Sequence, residues 1–298
     1  MRRTIAILVA IGLSIASMIP AAAATPGEGV YLSLGTSLAA GSQADGGGET
    51  TFSSDGSYTD QLHQRLKGRL VGELAHMKLG CAGETASQLL GGVDKDGNHS
   101  NCAAAYETGS QIGDAVATIL AENVVLVTID IGSNDLFDAF EICGQDSTCL
   151  AHEIGAIAGQ VAEIVATIRG AGYSGPIVAM NYYNPVAAAA IGFFSGVPGR
   201  QAPDLALASL SDALVRGLNG ALAQTYGLFG VPVADVYQAF NAGDFGDDQP
   251  ANGTPDNVDV LCKLSYMCPD GDSVKANIHL NQHGYKVVAK QFLERIDW

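Results

Sequence analysis

Apolar runs that stop at glycines alternate along this chain with segments whose apolar positions recur every three or four residues. Val30-Tyr31-Leu32-Ser33-Leu34 is the first such run. It is rich in strand formers and ends at Gly35, delivering Thr36 and Ser37 into a turn of small residues. Ala75 to Leu79, Asn123 to Ile131, Pro176 to Asn181 and Val231 to Val236 read as further strands. The run at 123–131 is β-branched almost throughout, as in a strand buried on both faces of a parallel sheet. Between the strands, Tyr58 to Leu70 repeats Leu62, Leu66 and Leu70 at helical spacing, and Gln111 to Glu122 carries Ile112, Val116, Ile119 and Leu120. Ile154 to Ile168, Leu205 to Tyr226 and Gly284 to Ile296 are predicted helices as well. Strand and helix alternate throughout, which predicts a doubly wound parallel sheet, because each right-handed crossover returns the chain in the same direction.

Four stretches fall outside that rhythm. Gly41 to Ser57 is polar and glycine-rich and reads as a loop, and a second loop, bounded by cysteines, follows Asp135. Pro185 to Pro203 is too apolar for a solvated loop, with Val186, Ile191, Phe193, Phe194 and Val197, and is expected to form a flap over a greasy pocket. Asn241 to Asp259 is rich in aspartate, glycine, proline and asparagine and is expected to be solvated. Neither its aspartates nor the run Asp94-Lys95-Asp96-Gly97-Asn98 has the ligand spacing of a calcium loop.

The N-terminus changes the setting in which the rest is read. Met1-Arg2-Arg3, the apolar stretch from Ile5 to Pro20 and the run Ala22-Ala23-Ala24 have the three parts of a secretory signal, with cleavage expected after Ala24. The apolar part is shorter than the ~20 residues a span requires, so no membrane anchor is expected after cleavage. Residues 25–298 then form one domain of a secreted, extracellular protein. Export also gives meaning to the six cysteines, which fall into three local pairs. Proximity suggests Cys81 with Cys102, Cys143 with Cys149 and Cys262 with Cys268, although six cysteines allow 15 pairings. None has Cys-x-x-Cys spacing, so no metal site is expected. The net charge of −16 argues against a nucleic-acid partner.

Ser37 sits where side chains at the carboxyl end of a parallel strand face a crevice, which makes it a candidate nucleophile. Such a serine needs a base and donors for a developing oxyanion. Of the six histidines, His279 stands out, because Ile278-His279-Leu280-Asn281-Gln282-His283-Gly284 leads directly into the last helix and can hang over the end of the first strand. His63, His76, His99 and His152 lie in ordinary helical, strand or loop contexts, and His283 is placed in the helix itself.

Four blocks in order, Leu34-Gly35-Thr36-Ser37-Leu38, Gly80-Cys81-Ala82-Gly83-Glu84-Thr85, Gly132-Ser133-Asn134-Asp135 and Ile278 to Gly284, resemble those of the SGNH or GDSL hydrolase family. The resemblance implies a flavodoxin-like three-layer α/β/α sandwich around a five-stranded parallel sheet, and ester hydrolysis without a cofactor. It implies Ser37 as nucleophile, His279 as base and then acid, and an oxyanion hole from the N–H groups of Ser37 and Gly83 with the amide of Asn134. The substrate class it suggests is a small-molecule or lipid carboxylic ester, met by a monomeric enzyme of the esterase or lipase kind. A carbohydrate acetylesterase and an inactive binding protein on the same scaffold are the alternatives. An α/β-hydrolase is excluded by the missing Gly-x-Ser-x-Gly elbow.

Two positions depart from the family pattern. Thr36 stands where the family has aspartate, outside the proton-transfer machinery. Ala276 stands where the family has the acid that orients the histidine. The expectation is a Ser37-His279 dyad oriented by a main-chain carbonyl near Ala276, with Asp270 and Asp272 as alternative acids.

Overall fold

Strand β1 (Gly29–Gly35) is buried along its whole length, and it holds that position because neighbours pair with both of its edges. In the computed structural model, residues 29–52, 55–69, 72–91, 101–248 and 252–297 are described. The segment through Ala24, the run at 94–98, His99 and Trp298 lie outside them. A short helix α1 (Ser37–Ala40) follows β1, then β2 (Ser42–Ala44), β3 (Thr50–Phe52), α2 (Tyr58–Lys67), β4 (Leu74–Lys78) and α3 (Ala86–Gly91). Next come α4 (Gln111–Ala121), β5 (Val124–Asp130), α5 (Ser133–Cys143), α6 (Ser147–Gly170) and β6 (Ile177–Met180). A 3-10 segment (Pro185–Ile191) leads to α7 (Leu205–Leu228), β7 (Val233–Ala234), α8 (Val236–Ala239), α9 (Asp256–Leu264), β8 (Ser265–Tyr266), β9 (Asn277–Leu280) and α10 (Gln282–Leu293).

The five-stranded sheet has the order β4-β1-β5-β6-β7 with every pairing parallel. This is the flavodoxin-like order, in a three-layer α/β/α arrangement. The chain runs outward from β1 first to β4 and then, on the other side, to β5. The switch point therefore lies between β1 and β5, and a crevice opens there beyond their carboxyl ends. On one face α10 packs with α2, α8 and α9; on the other, α6 packs with α3, α4, α5 and α7. The spacing of Leu150, Ile157, Val161, Ile164 and Ile168 puts all five on the buried side of α6. Ser57 and Asp60 start α2 with a reciprocal capping box, each side chain satisfying the other's backbone N–H.

Three expected loops contain structure, and so does the segment that carries His279. Within 41–57, β2 and β3 form an antiparallel hairpin. The stretch after Asp135 is helix α5, because Leu136, Phe140 and the neighbouring turns share one apolar side, a helical period too short to be read from a run interrupted by acids. The region 241–259 ends in α9, with Asp256 and Asn257 buried rather than solvated. The segment before the last helix is strand β9, paired antiparallel with β8. The flap expected at 185–203 is instead a brace. Ala187 to Ile191 are buried in the core, and residues 195–198 bridge to residues 275 and 276. The small alanine side chains allow close packing against α7 and α9. The cysteines pair as Cys81–Cys102, Cys143–Cys149 and Cys262–Cys268.

His76 stacks on the Tyr31 ring with centroids 4.6 Å apart and shares a 2.9 Å hydrogen bond with Ser33. Burial lowers its pKa to about 3, helped by the nearby His63 and Lys78. The unfolded chain therefore binds a proton that the folded one refuses between pH 6.5 and 3, so stability falls as pH drops through that window. His76→Phe keeps the ring stack and removes the titration. Denaturation curves from pH 6.5 to 4.5 are expected to show a slope shallower by about 1.4 kcal/mol per pH unit in the variant.

Candidate active site

The turn that carries Ser37 is built against a buried carboxylate. Asp130, the last residue of β5, is fully buried and accepts hydrogen bonds from the Thr36 N–H at 3.0 Å and the Thr36 hydroxyl at 3.1 Å. Gly35 has φ +144°, and a Cβ there would lie 1.4 Å from the Asp130 carboxylate oxygen. The Gln111 side chain brackets the same residue, accepting from the Gly35 N–H at 2.8 Å and donating to its carbonyl at 2.9 Å. Thr36, where the family has an acid, thus meets a carboxylate supplied by the adjacent strand. Ser37 opens α1 beyond it, at the edge of the crevice.

The second and third blocks are tied to each other by neighbouring side chains of α5. Asn134 donates to the Glu84 carbonyl at 2.8 Å, and the Asp135 carboxylate accepts from the Ala86 N–H at 3.0 and 3.1 Å. Gly83 lies between, at φ +79°, with open space where a side chain would stand. The Cys81–Cys102 disulfide anchors the start of that loop. An amide NH2 has two hydrogens, so Asn134 keeps one donor for the crevice while the other positions the Gly83 loop.

His279 and Ser37 line one cavity, each 8% exposed. They are not directly hydrogen-bonded among the described residues, and such contacts commonly close only when substrate binds. The orienting group differs from expectation. The Ala276 carbonyl already accepts from the Gly196 N–H at 2.8 Å, and Asp270 and Asp272 are solvent-exposed. The imidazole Nδ1 instead meets the side-chain oxygen of Asn277 at 2.7 Å. Residues two apart on a strand share a face, which brings 277 and 279 together. The signal was present in the sequence but is usable only once the segment is known to be a strand. Burial pushes the His279 pKa down to about 4.

The cavity holds about 240 Å³ and its walls are mostly hydrocarbon. Leu136, Phe137 and Phe140 of α5 face Leu207, Leu214 and Leu218 of α7 across it. From the apolar insert only Pro185 and Val186 reach it, so the two helices supply most of the pocket. A second serine-histidine pair, Ser33 with His76, has Asp60 3.7 Å from the other ring nitrogen. Its serine is fully buried in the core, where no substrate can reach it.

The profile of the GDSL-like Lipase/Acylhydrolase family matches residues 33–287. Among solved structures, the chain is similar to the lipase Lip_vut3 from a goat rumen metagenome, at 15% identity and a TM-score of 0.54 over 90% of this chain and 97% of that one. It is equally similar to an extracellular lipase from Streptomyces rimosus, at 15% identity and a TM-score of 0.54 over 90% of this chain and 100% of that one. These two likenesses concern the fold. No curated protein matches the chain in sequence.

Desolvation raises the Asp130 pKa to about 8, against the pull of the Thr36 donors. The folded state therefore holds a proton between pH 4 and 8 that the unfolded chain has lost, and stability declines as pH rises through that range. Below about pH 7.5 the two depressed histidines act in the opposite sense, because part of the unfolded chain still binds a proton at each; above it Asp130 acts nearly alone. Chemical denaturation at about pH 7.5, 8 and 8.5 is expected to show falling stability in the wild type and a nearly flat response in Asp130→Asn.

Proposed function

Because the chain belongs to the GDSL-like lipase/acylhydrolase family, we propose that it is a secreted serine hydrolase cleaving carboxylic esters with an apolar acyl chain. The observation that carries this reading is the hydrocarbon-lined cavity shared by Ser37 and His279. An acyl chain is the part of an ester that gains by leaving water for such walls. A sugar acetate would bring polar hydroxyls against them, which favours the acylhydrolase over the acetylesterase.

In the proposed mechanism the Ser37 hydroxyl attacks the ester carbonyl while His279 Nε2 takes its proton. The carbonyl oxygen becomes an anion held by the N–H groups of Ser37 and Gly83 and the free amide hydrogen of Asn134. Collapse breaks the bond to the alcohol, which leaves with the proton from His279, and the acyl group stays on Ser37. Water, deprotonated by the same histidine, releases the acid and restores the serine. A histidine with a pKa near 4 is in its basic form at neutral pH, as the first step requires. Residues 1–24 are proposed as a cleaved export signal and 25–298 as a single domain; three disulfides support an oxidising destination.

Hydrolysis of p-nitrophenyl esters from acetate to long acyl chains tests the reading. Ser37→Ala is expected to lose at least about 10³-fold in kcat. Leu214→Trp, filling the cavity, is expected to shift the preferred chain toward shorter acyl groups with acetate turnover kept. A wild type active on acetate alone would favour the acetylesterase. Lack of any Ser37-dependent turnover or labelling by a serine-directed phosphonate would favour a binding protein.

A further inference from the structure

The side chain of Asn277 is fixed from both ends. Its oxygen accepts from the main-chain N–H of His279 at 3.0 Å, a group that can only donate. Its nitrogen donates to the Gly48 carbonyl at 3.0 Å, a group that can only accept, and to the Thr50 hydroxyl at 3.0 Å. The amide cannot turn round without facing N–H against N–H and oxygen against oxygen. The oxygen aimed at His279 Nδ1 is therefore an acceptor, the proton of the neutral ring must sit on Nδ1, and Nε2 is left with its lone pair.

On the reading that Ser37 and His279 perform ester hydrolysis, we propose that Asn277 is the positioning residue of the base, a neutral replacement for the triad acid, held in its working orientation by the β2–β3 hairpin. Asparagine in a triad is ordinarily harmful, costing about 10⁴ in rate when its amide imposes the wrong tautomer. Here the hairpin occupies the NH2 group, so only the carbonyl is available to the ring. The hairpin is itself pinned to the strand it serves. The Lys275 N–H donates to the Gly47 carbonyl at 3.1 Å, and Lys275 pairs with Glu49. Gly48 has φ +84°, and a Cβ there would lie 2.0 Å from the Lys275 carbonyl oxygen.

A neutral partner leaves the ring's basicity to its surroundings, and burial holds the pKa of His279 near 4. The titratable groups on the elements around it are Asp45 and Glu49 of the hairpin, with Glu49 paired to Lys275. Tyr266 lies on β8, His283, Tyr285, Lys286 and Lys290 lie on α10, Tyr183 donates to the Ile278 carbonyl, and Asp130 lies beneath the Ser37 turn. The ring's own hydrogen-bond partner is Asn277. The acid limb of kcat/KM is thus expected near pH 4. An aspartate at 277 would favour the imidazolium and move that limb upward.

The test combines spectroscopy on the wild type with kinetics on variants, using a p-nitrophenyl ester. Long-range 1H–15N spectra of the wild type near pH 6.5 are expected to show His279 protonated on Nδ1 and bare on Nε2; the opposite tautomer overturns the proposal without any mutation. Asn277→Ala is expected to lose roughly 10²-fold in kcat with KM within threefold. Asn277→Asp is expected to raise the acid limb by at least about one pH unit. Gly48→Ala, at the far end of the chain of contacts, is expected to lower kcat while the acyl-chain preference stays as in the wild type. Variants that fold, keep kcat within threefold and keep the acid limb in place refute the role of Asn277. Phosphonate labelling of Ser37 separates this failure from the other. If Ser37 labels but the Asn277 variants behave as wild type, only the positioning role falls. If Ser37 neither labels nor matters, the hydrolase reading falls and the proposal with it.

Discussion

The Asp130 carboxylate beneath the Thr36–Ser37 turn is the contact on which the arrangement of the site depends. It comes from the central strand next to β1 and reaches across to the first turn beyond it, so the two strands that flank the switch point are tied at their carboxyl ends. The same oxygen fills the space that any side chain at 35 would need, which leaves glycine as the only residue that fits. A buried carboxylate is costly unless its lone pairs are used. Here the Thr36 N–H and hydroxyl use them, and the desolvation left over shows as a pKa far above that of an ordinary aspartate.

From that anchor the remaining parts are placed by short, mutually dependent contacts. Helix α5 begins just past β5, so its first turn brings Asn134 and Asp135 against the loop of Gly83 while later turns bring Phe137 and Phe140 into the cavity. One helix thus links the proposed oxyanion donors to the proposed acyl wall, and the Cys143–Cys149 disulfide closes its far end onto α6. On the opposite side, Tyr183 donates to the Ile278 carbonyl at 2.7 Å, and the 195–199 brace pairs with the residues before β9. His279 is held by strand pairing rather than on a free loop.

Much of this was legible in the sequence because long-period patterns survive without tertiary context. The central strands β1, β5 and β6 are largely apolar runs, and the first three blocks mark where β1, β4 and β5 end. Short elements were not legible. Ser42–Ala44 and Thr50–Phe52 are three residues each and mostly polar, and the hairpin they form docks on β9. The apolar insert is a brace where a flap over the pocket is expected, because alanine and glycine suit either a flap or a tightly packed 3-10 turn, and composition does not separate the two. Asn277 escaped because nothing in so short a segment marks it as a strand, and only a strand puts 277 and 279 on one face. Asp130, a charged residue closing a strand buried on both sides, carried a usable signal, since such a group must find donors nearby.

The electrical state of the site follows from these contacts. At neutral pH His279 carries no charge, Asn277 can carry none, and Asp130 is largely protonated. A neutral ester with a hydrocarbon chain can therefore enter the cavity without meeting a fixed charge that its arrival would strip of water. Charge appears only when the proposed reaction begins, and it appears as a pair: the oxyanion over the donors of Gly83 and Asn134, and the imidazolium beside it. In a site of low dielectric these two stabilise each other strongly. A carboxylate at 276 or 277 would add a third charge that must be buried before any substrate binds, with a desolvation cost of several kcal/mol per ion. A pinned amide gives the cation less than a carboxylate would, but it fixes the tautomer without that cost. For a cavity walled largely by leucine and phenylalanine, the proposed neutral orienter is the arrangement compatible with its own walls.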